Sequence, residues 1–227
     1  MDYIVSDIHG EYGLFCRLMD KVGFSGGDRL FVLGDILGKG ADELRLARLI
    51  FSMPEATVIA GNHEYDFVKH YRALVSGYGE EAAVERARDY FADGKLFSPE
   101  LAAAFDSLPF YIETEDFVGV HAGLPLSADG VVVPPGDARR EQLVYDRRFK
   151  DPDVLPRGNK CVVFGHTPTR YVSDRDDILF YGAEGEKSGG GEPSDYVKIH
   201  IDTGVYLSGV LGCLCTDGCR AFYEGMR

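Results

Sequence analysis

Five short apolar runs, each followed closely by aspartate, asparagine or histidine, constrain the fold of this chain more than any other feature. They lie at residues 3–5, 30–33, 57–60, 117–120 and 161–164. Between the first two, apolar residues recur at helical spacing, as Leu14, Leu18 and Val22 do. Uninterrupted apolar runs that alternate with helices are typical of parallel strands buried on both faces. The pattern therefore predicts an α/β fold built on a parallel sheet.

Turn residues delimit several of the predicted elements. Gly23 follows the first helical stretch and is a plausible C-cap. A second helix is predicted over residues 41–51, and a late strand over residues 197–201. Asp217 and Gly218 form a dipeptide favoured in tight β-hairpins, which predicts a hairpin near the end of the chain.

Two stretches depart from the strand–helix alternation. Residues 66–108 carry helical patterns without strand signals, and we interpret them as a helical cap inserted into the domain. Residues 183–196 include three consecutive glycines and predict a flexible, solvated insertion. A length of 227 residues suits one large domain, so we expect residues 1–227 to form a single domain.

Charge and composition exclude several classes of protein. The chain has 24 basic and 37 acidic residues, a net charge of −13, which disfavours broad nucleic-acid or anionic-membrane surfaces. No apolar run approaches the about 18 residues that span a bilayer. Residues 1–3 lack the basic start of a secretory signal, and five cysteines are an odd number without regular spacing. We therefore expect a cytoplasmic protein, and no feature indicates its oligomeric state.

The residues at the ends of the apolar runs form one chemical set. They are Asp7, His9, Asp35, Asn62, His63, His121 and His166. A single aspartate after a strand is commonly only a turn former or a helix cap. That explanation weakens when five strand ends in succession carry such groups, because ligands bind at the carboxyl ends of parallel strands.

The donor types favour a metal centre. Apart from His63, the set offers two carboxylates, an amide and three imidazoles, without thiolates, and these donors suit Mn²⁺, Fe, Zn²⁺ or Ni²⁺. Six ligands exceed the needs of one catalytic ion but suit two ions about 3.5–4 Å apart that share a carboxylate. Two divalent ions, two aspartates and a bridging hydroxide would leave a charge of about +1, which favours a phosphate in an acidic protein.

Ordered motifs extend this picture to a known family. They occupy residues 6–10, 34–40, 61–64, 120–123, 143–147, 164–168 and 201–204. Together these motifs resemble the calcineurin-like metallophosphoesterases, above all the phosphoprotein phosphatase branch with its compact bacterial and bacteriophage serine/threonine phosphatases. The resemblance implies a four-layer αββα sandwich with a helical cap insertion.

The resemblance also implies residue roles. It implies two divalent metal ions, Mn²⁺ first, held by Asp7, His9, Asp35, Asn62, His121 and His166. Asp35 would bridge the ions, and a metal-bridging hydroxide would attack phosphorus directly. His63 would protonate the leaving oxygen, while Arg147 and Lys39 would bind phosphate oxygens. Glu64 and Asp202 would either orient ligands or form ordinary salt bridges and turns.

The second motif departs from the family pattern at two positions. Where the family has an aspartate that supports the catalytic histidine, this chain has Gly38, and Lys39 replaces the family's arginine. Lys39 keeps the charge but loses the bidentate geometry. Restoring the carboxylate by Gly38→Asp would support His63, unless the glycine adopts a positive φ that a side chain would strain.

Three functional hypotheses follow. The first is a metal-dependent phosphomonoesterase, above all a serine/threonine protein phosphatase, acting on a phosphoprotein or a small phosphate ester. The second is a symmetrical dinucleoside tetraphosphate hydrolase, which cleaves an anhydride. The third is a phosphate-binding pseudo-phosphatase, which Gly38 favours and the complete ligand set disfavours.

Overall fold

Two β-sheets packed face to face form the centre of the molecule. The computed structural model describes residues 1–76, Glu81 and residues 99–225. The first sheet contains β1 (Asp2–Val5), β2 (Arg29–Val32), β3 (Ala56–Val58), β10 (Val210–Cys215) and β11 (Arg220–Gly225). The second contains β4 (Tyr111–Glu113), β5 (Phe117–Val120), β6 (Cys161–Phe164), β7 (Leu179–Gly182), β8 (Gly185–Lys187) and β9 (Lys198–His200).

The helices lie between these strands along the chain. They are α1 (Tyr12–Val22), α2 (Glu43–Ser52), α3 (Asn62–Ser76), α4 (Pro99–Asp106), α5 (Arg140–Tyr145), α6 (Arg170–Ser173) and α7 (Val205–Ser208), with 3₁₀ turns at Pro135–Asp137 and Pro193–Asp195. Helix α1 is followed by Gly23, which has a left-handed φ of 69° and is the C-cap predicted from the sequence.

Each sheet has a parallel centre with antiparallel additions. The first has the order β11-β10-β1-β2-β3, in which β1, β2 and β3 are parallel. The second has the order β4-β5-β6-β9-β7-β8, in which β5, β6 and β9 are parallel. The apolar runs therefore belong to two parallel groups instead of one, and the carboxyl ends of both groups carry the candidate ligands.

Side-chain alternation along the strands builds the layers. In β1, Ile4 packs with the second sheet, whereas Tyr3 and Val5 belong to the core beneath the helices. The helical side of the first sheet is covered by α1 to α4, which contribute Leu18 and Phe105 among others. On the far side of the second sheet, α5 and its neighbouring loops form a smaller core. The four-layer αββα arrangement implied by the resemblance is confirmed.

The other predictions concern the C-terminal hairpin, the glycine-rich segment, the cap and the number of domains. Strands β10 and β11 form the predicted hairpin, with Gly218 at a φ of 73°. Residues 183–196, expected as a flexible insertion, contain strand β8 and a 3₁₀ turn. Of the expected cap at residues 66–108, the positions 77–80 and 82–98 lie outside the described residues. The single-domain organisation stays a prediction.

Candidate metal centre

The loops after the strands of both sheets meet at one point. Asp7 and His9 follow β1, Asp35 follows β2, and Asn62 begins α3. The loop after β6 in the second sheet crosses to the first, because the backbone N–H of His166 donates to Oδ2 of Asp7 at 3.0 Å. This bond joins the two groups of strand ends into one site.

The described residues include two groups of side chains that could each hold a metal ion. His9, Asp35 and His63 form one, and Asp35, His121 and His166 form the other, with donor atoms within 4.8 Å of one another in each group. Asp35 belongs to both, and its two carboxylate oxygens face different histidines. Oδ2 lies 3.9 Å from His9 Nε2, and Oδ1 lies 3.5 Å from His121 Nε2. A carboxylate in this position can serve two ions.

Several of these residues have an unusual backbone conformation. The φ angles of Asp7, His9, Asp35 and His166 are 52°, 49°, 54° and 72°, in the left-handed region. Each such conformation costs about 1–3 kcal/mol and persists only when its surroundings enforce it. Backbone bonds between the loops do so here: His9 N–H donates to the Asp35 carbonyl at 2.9 Å. Such strain is concentrated at functional sites.

Backbone carbonyls orient two of the imidazoles. Nδ1 of His9 lies 2.9 Å from the Leu37 carbonyl, and Nδ1 of His121 lies 2.8 Å from the Leu33 carbonyl. A carbonyl can only accept, so each Nδ1 carries the proton and each Nε2 offers a lone pair to the centre. This is the orientation that a metal-binding histidine requires.

Asn62 and His166 complete the second group. Oδ1 of Asn62 lies 3.0 Å from His121 Nε2 and 2.8 Å from His166 Nδ1. Nε2 of His166 is buried and has no hydrogen-bond partner among the described residues. Nδ1 is therefore the nitrogen of His166 that lies beside the other donors. The imidazole, amide and carboxylate groups that converge here suit a bound cation.

The two buried aspartates differ electrostatically. Burial raises the pKa of Asp35 well above its ordinary value, and the neighbouring charges of Asp7 and Glu64 raise it further. Burial also opposes ionisation of Asp7, but His121 and His9, together with hydrogen bonds from Ser6 and the His166 backbone N–H, lower the pKa of Asp7. Adjacent buried carboxylates repel each other, which a cation between them would relieve.

Glu64 and Asp202 hold the backbone around the centre. The carboxylate of Glu64 is fully buried and accepts backbone N–H groups of Asp35, Leu37 and Gly61 at 2.7, 2.9 and 2.9 Å. It therefore fixes the loops after β2 and β3 to each other. Asp202 accepts the N–H of Gly204 at 2.7 Å, which is a turn contact.

The space between Gly38 and His63 determines whether position 38 could carry the aspartate of the family pattern. Gly38 has a φ of 89°, and a Cβ placed there would lie 2.3 Å from Nδ1 of His63. An aspartate at this position would collide with the imidazole that it should support. The structure thus favours the competing outcome, in which Gly38→Asp strains the backbone. Burial, with the neighbouring His9 ring and the charge of Lys39, lowers the pKa of His63 to about 4.

The two expected phosphate-binding cations stand at the rim of the centre. Nη1 of Arg147 donates to Oγ1 of Thr167 at 3.4 Å, and the Arg147 side chain is exposed. Nζ of Lys39 lies 3.3 Å above the ring centroid of Tyr206. Tyr206 was not predicted from the sequence, although it lies only two residues after the motif at residues 201–204. Its ring meets that of His9 edge to face at 5.6 Å.

Comparison with known proteins assigns the family. Residues 3–194 match the calcineurin-like phosphoesterases. The chain belongs to this family. The family implies phosphoester hydrolysis with divalent metal ions, which the two groups around Asp35 fit. None of the described helices is long and apolar enough to cross a membrane.

Curated relatives of this chain act on dinucleoside tetraphosphates, according to their names. The symmetrical bis(5'-nucleosyl)-tetraphosphatase of Aromatoleum aromaticum is 31% identical over 186 residues, 78% of this chain and 60% of the relative. That of Vibrio campbellii is 30% identical over 54% of this chain and 44% of the relative. The asymmetrical enzyme PrpE of Geobacillus is 25% identical over 74% of this chain and 78% of the relative. The chain thus spans about half the length of the first two relatives.

Solved structures share the fold. A putative diadenosine tetraphosphatase aligns with a TM-score of 0.72 at 21% identity, covering all of this chain and 94% of its own. A serine/threonine phosphatase from Saccharomyces cerevisiae aligns with a TM-score of 0.62 at 16% identity, covering all of this chain and 80% of its own. At these identities the likeness shows the fold alone.

Proposed function

We propose that this phosphoesterase hydrolyses dinucleoside tetraphosphates symmetrically, at a centre of two divalent metal ions. The observation that supports this proposal is that two groups of potential metal ligands share Asp35. The curated relatives that the chain resembles are named tetraphosphatases. Water is consumed at the anhydride between the two central phosphates, and two nucleoside diphosphates leave. This assignment takes precedence over hydrolysis of phosphoserine or phosphothreonine.

The proposed ligands divide between the two ions. Asp7, His9 and Asp35 would hold the first, and Asp35, Asn62, His121 and His166 would hold the second. Asp7 joins the first set because its Oδ1 lies 4.0 Å from Nε2 of His9, and His63 of that group is assigned to proton transfer instead. Bound ions supply activation of water and neutralise the phosphate charge. We favour Mn²⁺, with Fe, Zn²⁺ and Ni²⁺ as alternatives that suit the same oxygen and imidazole donors.

The geometry at Gly38 favours an anhydride over a serine ester. Gly38 supplies no carboxylate to His63, and a side chain there would have no room. A serine alkoxide needs a proton to depart, which an acid such as Nε2 of His63 must supply. A nucleoside diphosphate departs as a phosphate group whose pKa is about 6, so it needs much less help. The weak support of His63 therefore matters less for an anhydride.

Arg147 and Lys39 provide the positive charge at the rim. We assign them to the phosphate oxygens that lie outside the metal centre. Arg147 is exposed beside Thr167, so its planar guanidinium is free to form paired bonds with a phosphate. Lys39 provides a point charge.

A substrate panel tests the proposal. The protein with Mn²⁺ receives diadenosine tetraphosphate, p-nitrophenyl phosphate and a phosphoserine peptide, and anion-exchange chromatography identifies the products. We expect diadenosine tetraphosphate to give the highest kcat/KM and ADP as sole nucleotide product. ATP and AMP would show asymmetrical cleavage, and a higher kcat/KM on the phosphopeptide would make the protein a phosphatase of the first hypothesis. Absence of turnover on all three would support the pseudo-phosphatase.

A further inference from the structure

Exposed aromatic residues border the metal centre on one side. Among the described residues, seven large apolar side chains are exposed, and three of them, Tyr171, Tyr206 and Leu207, lie in α6 and α7. Large exposed apolar groups that cluster beside a site mark contact surfaces for ligands or partners. We call Tyr171 and Tyr206 the tyrosine ledge.

The two helices that carry the tyrosine ledge follow loops of the centre. Helix α6 begins four residues after His166, and α7 begins three residues after Asp202. The Tyr206 ring lies 5.6 Å from the His9 ring. The backbone N–H of Thr169, just before α6, donates to the carbonyl of Asp202, in the loop before α7, at 2.8 Å, so the segments that lead into the two helices are joined. The ledge therefore continues outward from a proposed metal ligand.

The two tyrosines differ in the surface they offer. Lys39 places its ammonium 3.3 Å above the Tyr206 ring, so one face of that ring is covered by a cation. Tyr206 is 39% exposed, whereas Tyr171 is 62% exposed. Tyr206 can thus keep Lys39 at the rim by a cation–π contact, and Tyr171 retains the larger free surface.

We propose that the tyrosine ledge binds a nucleobase of the substrate, with the base stacked on Tyr171 and the adjoining phosphates beside Lys39. This inference rests on the proposed function, because only a nucleotide substrate carries a base into the site. Stacking on an aromatic ring tolerates any base, since every base has a π-face. The ledge would therefore distinguish nucleotides from simple phosphate esters without selecting one base.

A matched pair of non-hydrolysable ligands tests the ledge by binding. α,β-Methylene-ADP carries a base, and methylenediphosphonate provides the same diphosphonate group without the nucleoside. Isothermal titration of the Mn²⁺-loaded protein should show tighter binding of the nucleotide. Tyr171→Ala should weaken α,β-methylene-ADP about tenfold and leave methylenediphosphonate unchanged, since one stacked base contributes about a factor of 5 to 150. Tyr171→Phe keeps the ring and should retain wild-type affinity.

The outcomes separate this inference from the proposed function. If the wild-type protein cleaves diadenosine tetraphosphate but Tyr171→Ala binds both ligands normally, the ledge assignment is overturned and the function stands. If the wild-type protein neither cleaves diadenosine tetraphosphate nor prefers the nucleotide ligand, the function fails and the ledge with it. Equal weakening of both ligands by Tyr171→Ala would show a general disturbance of the centre and would also overturn the stacking role.

Discussion

Gly38→Ala tests how closely the backbone at position 38 controls His63. A methyl group there meets two difficulties: a φ of 89°, and a Cβ position 2.3 Å from Nδ1 of His63. A left-handed conformation costs a non-glycine residue about 1–2 kcal/mol. Because the His63 side chain is one-quarter exposed, we expect the ring to move aside instead of the backbone.

Gly23→Ala is a matched control for the backbone effect alone. Gly23 has a φ of 69°, and no atom lies within 4 Å of its potential Cβ. Both variants should lose about 1–2 kcal/mol of unfolding free energy, or about 2–8 °C in Tm for a chain of this size. Only Gly38→Ala should lose activity. A displacement of about 1 Å at a reacting group can cost up to about 100-fold, so we expect a 10- to 100-fold lower kcat on phenyl phosphate.

The assay combines calorimetric melting with turnover of phenyl phosphate and p-nitrophenyl phosphate. Phenyl phosphate has the poorer leaving group and should suffer more. Wild-type turnover of phenyl phosphate by a well-folded Gly38→Ala protein would refute the argument that the methyl group displaces His63. A much larger stability loss for Gly38→Ala than for Gly23→Ala would show that the ring does not yield.

Three further predictions concern charged groups. Asp35→Asn should abolish hydrolysis and lower the amount of bound metal measured by mass spectrometry. It should not destabilise the protein in the presence of a chelator, because it removes the repulsion between Asp35 and Asp7. Near wild-type turnover at ordinary Mn²⁺ concentrations would contradict the shared-ligand role. His63→Asn should reduce kcat on phenyl phosphate about 10²–10⁴-fold and on p-nitrophenyl phosphate less; equal losses would indicate a positioning role. Lys198 is buried, donates to two backbone carbonyls, and has a pKa lowered by burial to about 8. Between about pH 8 and 10.5, Lys198 is protonated in the unfolded chain and neutral in the folded protein. The free energy of unfolding of the wild type, relative to that of Lys198→Met, should therefore rise by about 2 kcal/mol from pH 7 to 9.5 in urea titrations. A difference between the two proteins that does not change with pH would contradict this.

Local sequence patterns were sufficient to predict the elements that carry the centre. The apolar runs ending near Val5, Val32 and Phe164 became strands because burial of each short segment depends mainly on its own composition. The ends of these runs also predicted where the donors would lie, because a residue that directly follows a strand lies at the carboxyl end of that strand. The αββα arrangement required the family motifs as well, because periodicity alone does not tell one parallel sheet from two.

Contacts between distant segments were decided only by the tertiary structure. The bond from His166 to Asp7 joins two sheets across 159 residues of chain, and Glu64 fastens two loops through three backbone donors. The lack of room at Gly38 and the meeting of Tyr206 with Lys39 arise in the same way. No local pattern encodes such pairs, because each depends on where folding places residues far apart in sequence. The sequence alone therefore determined which groups the centre could use, and the packing of the two sheets decided their spacing, their orientation and the surface beside them.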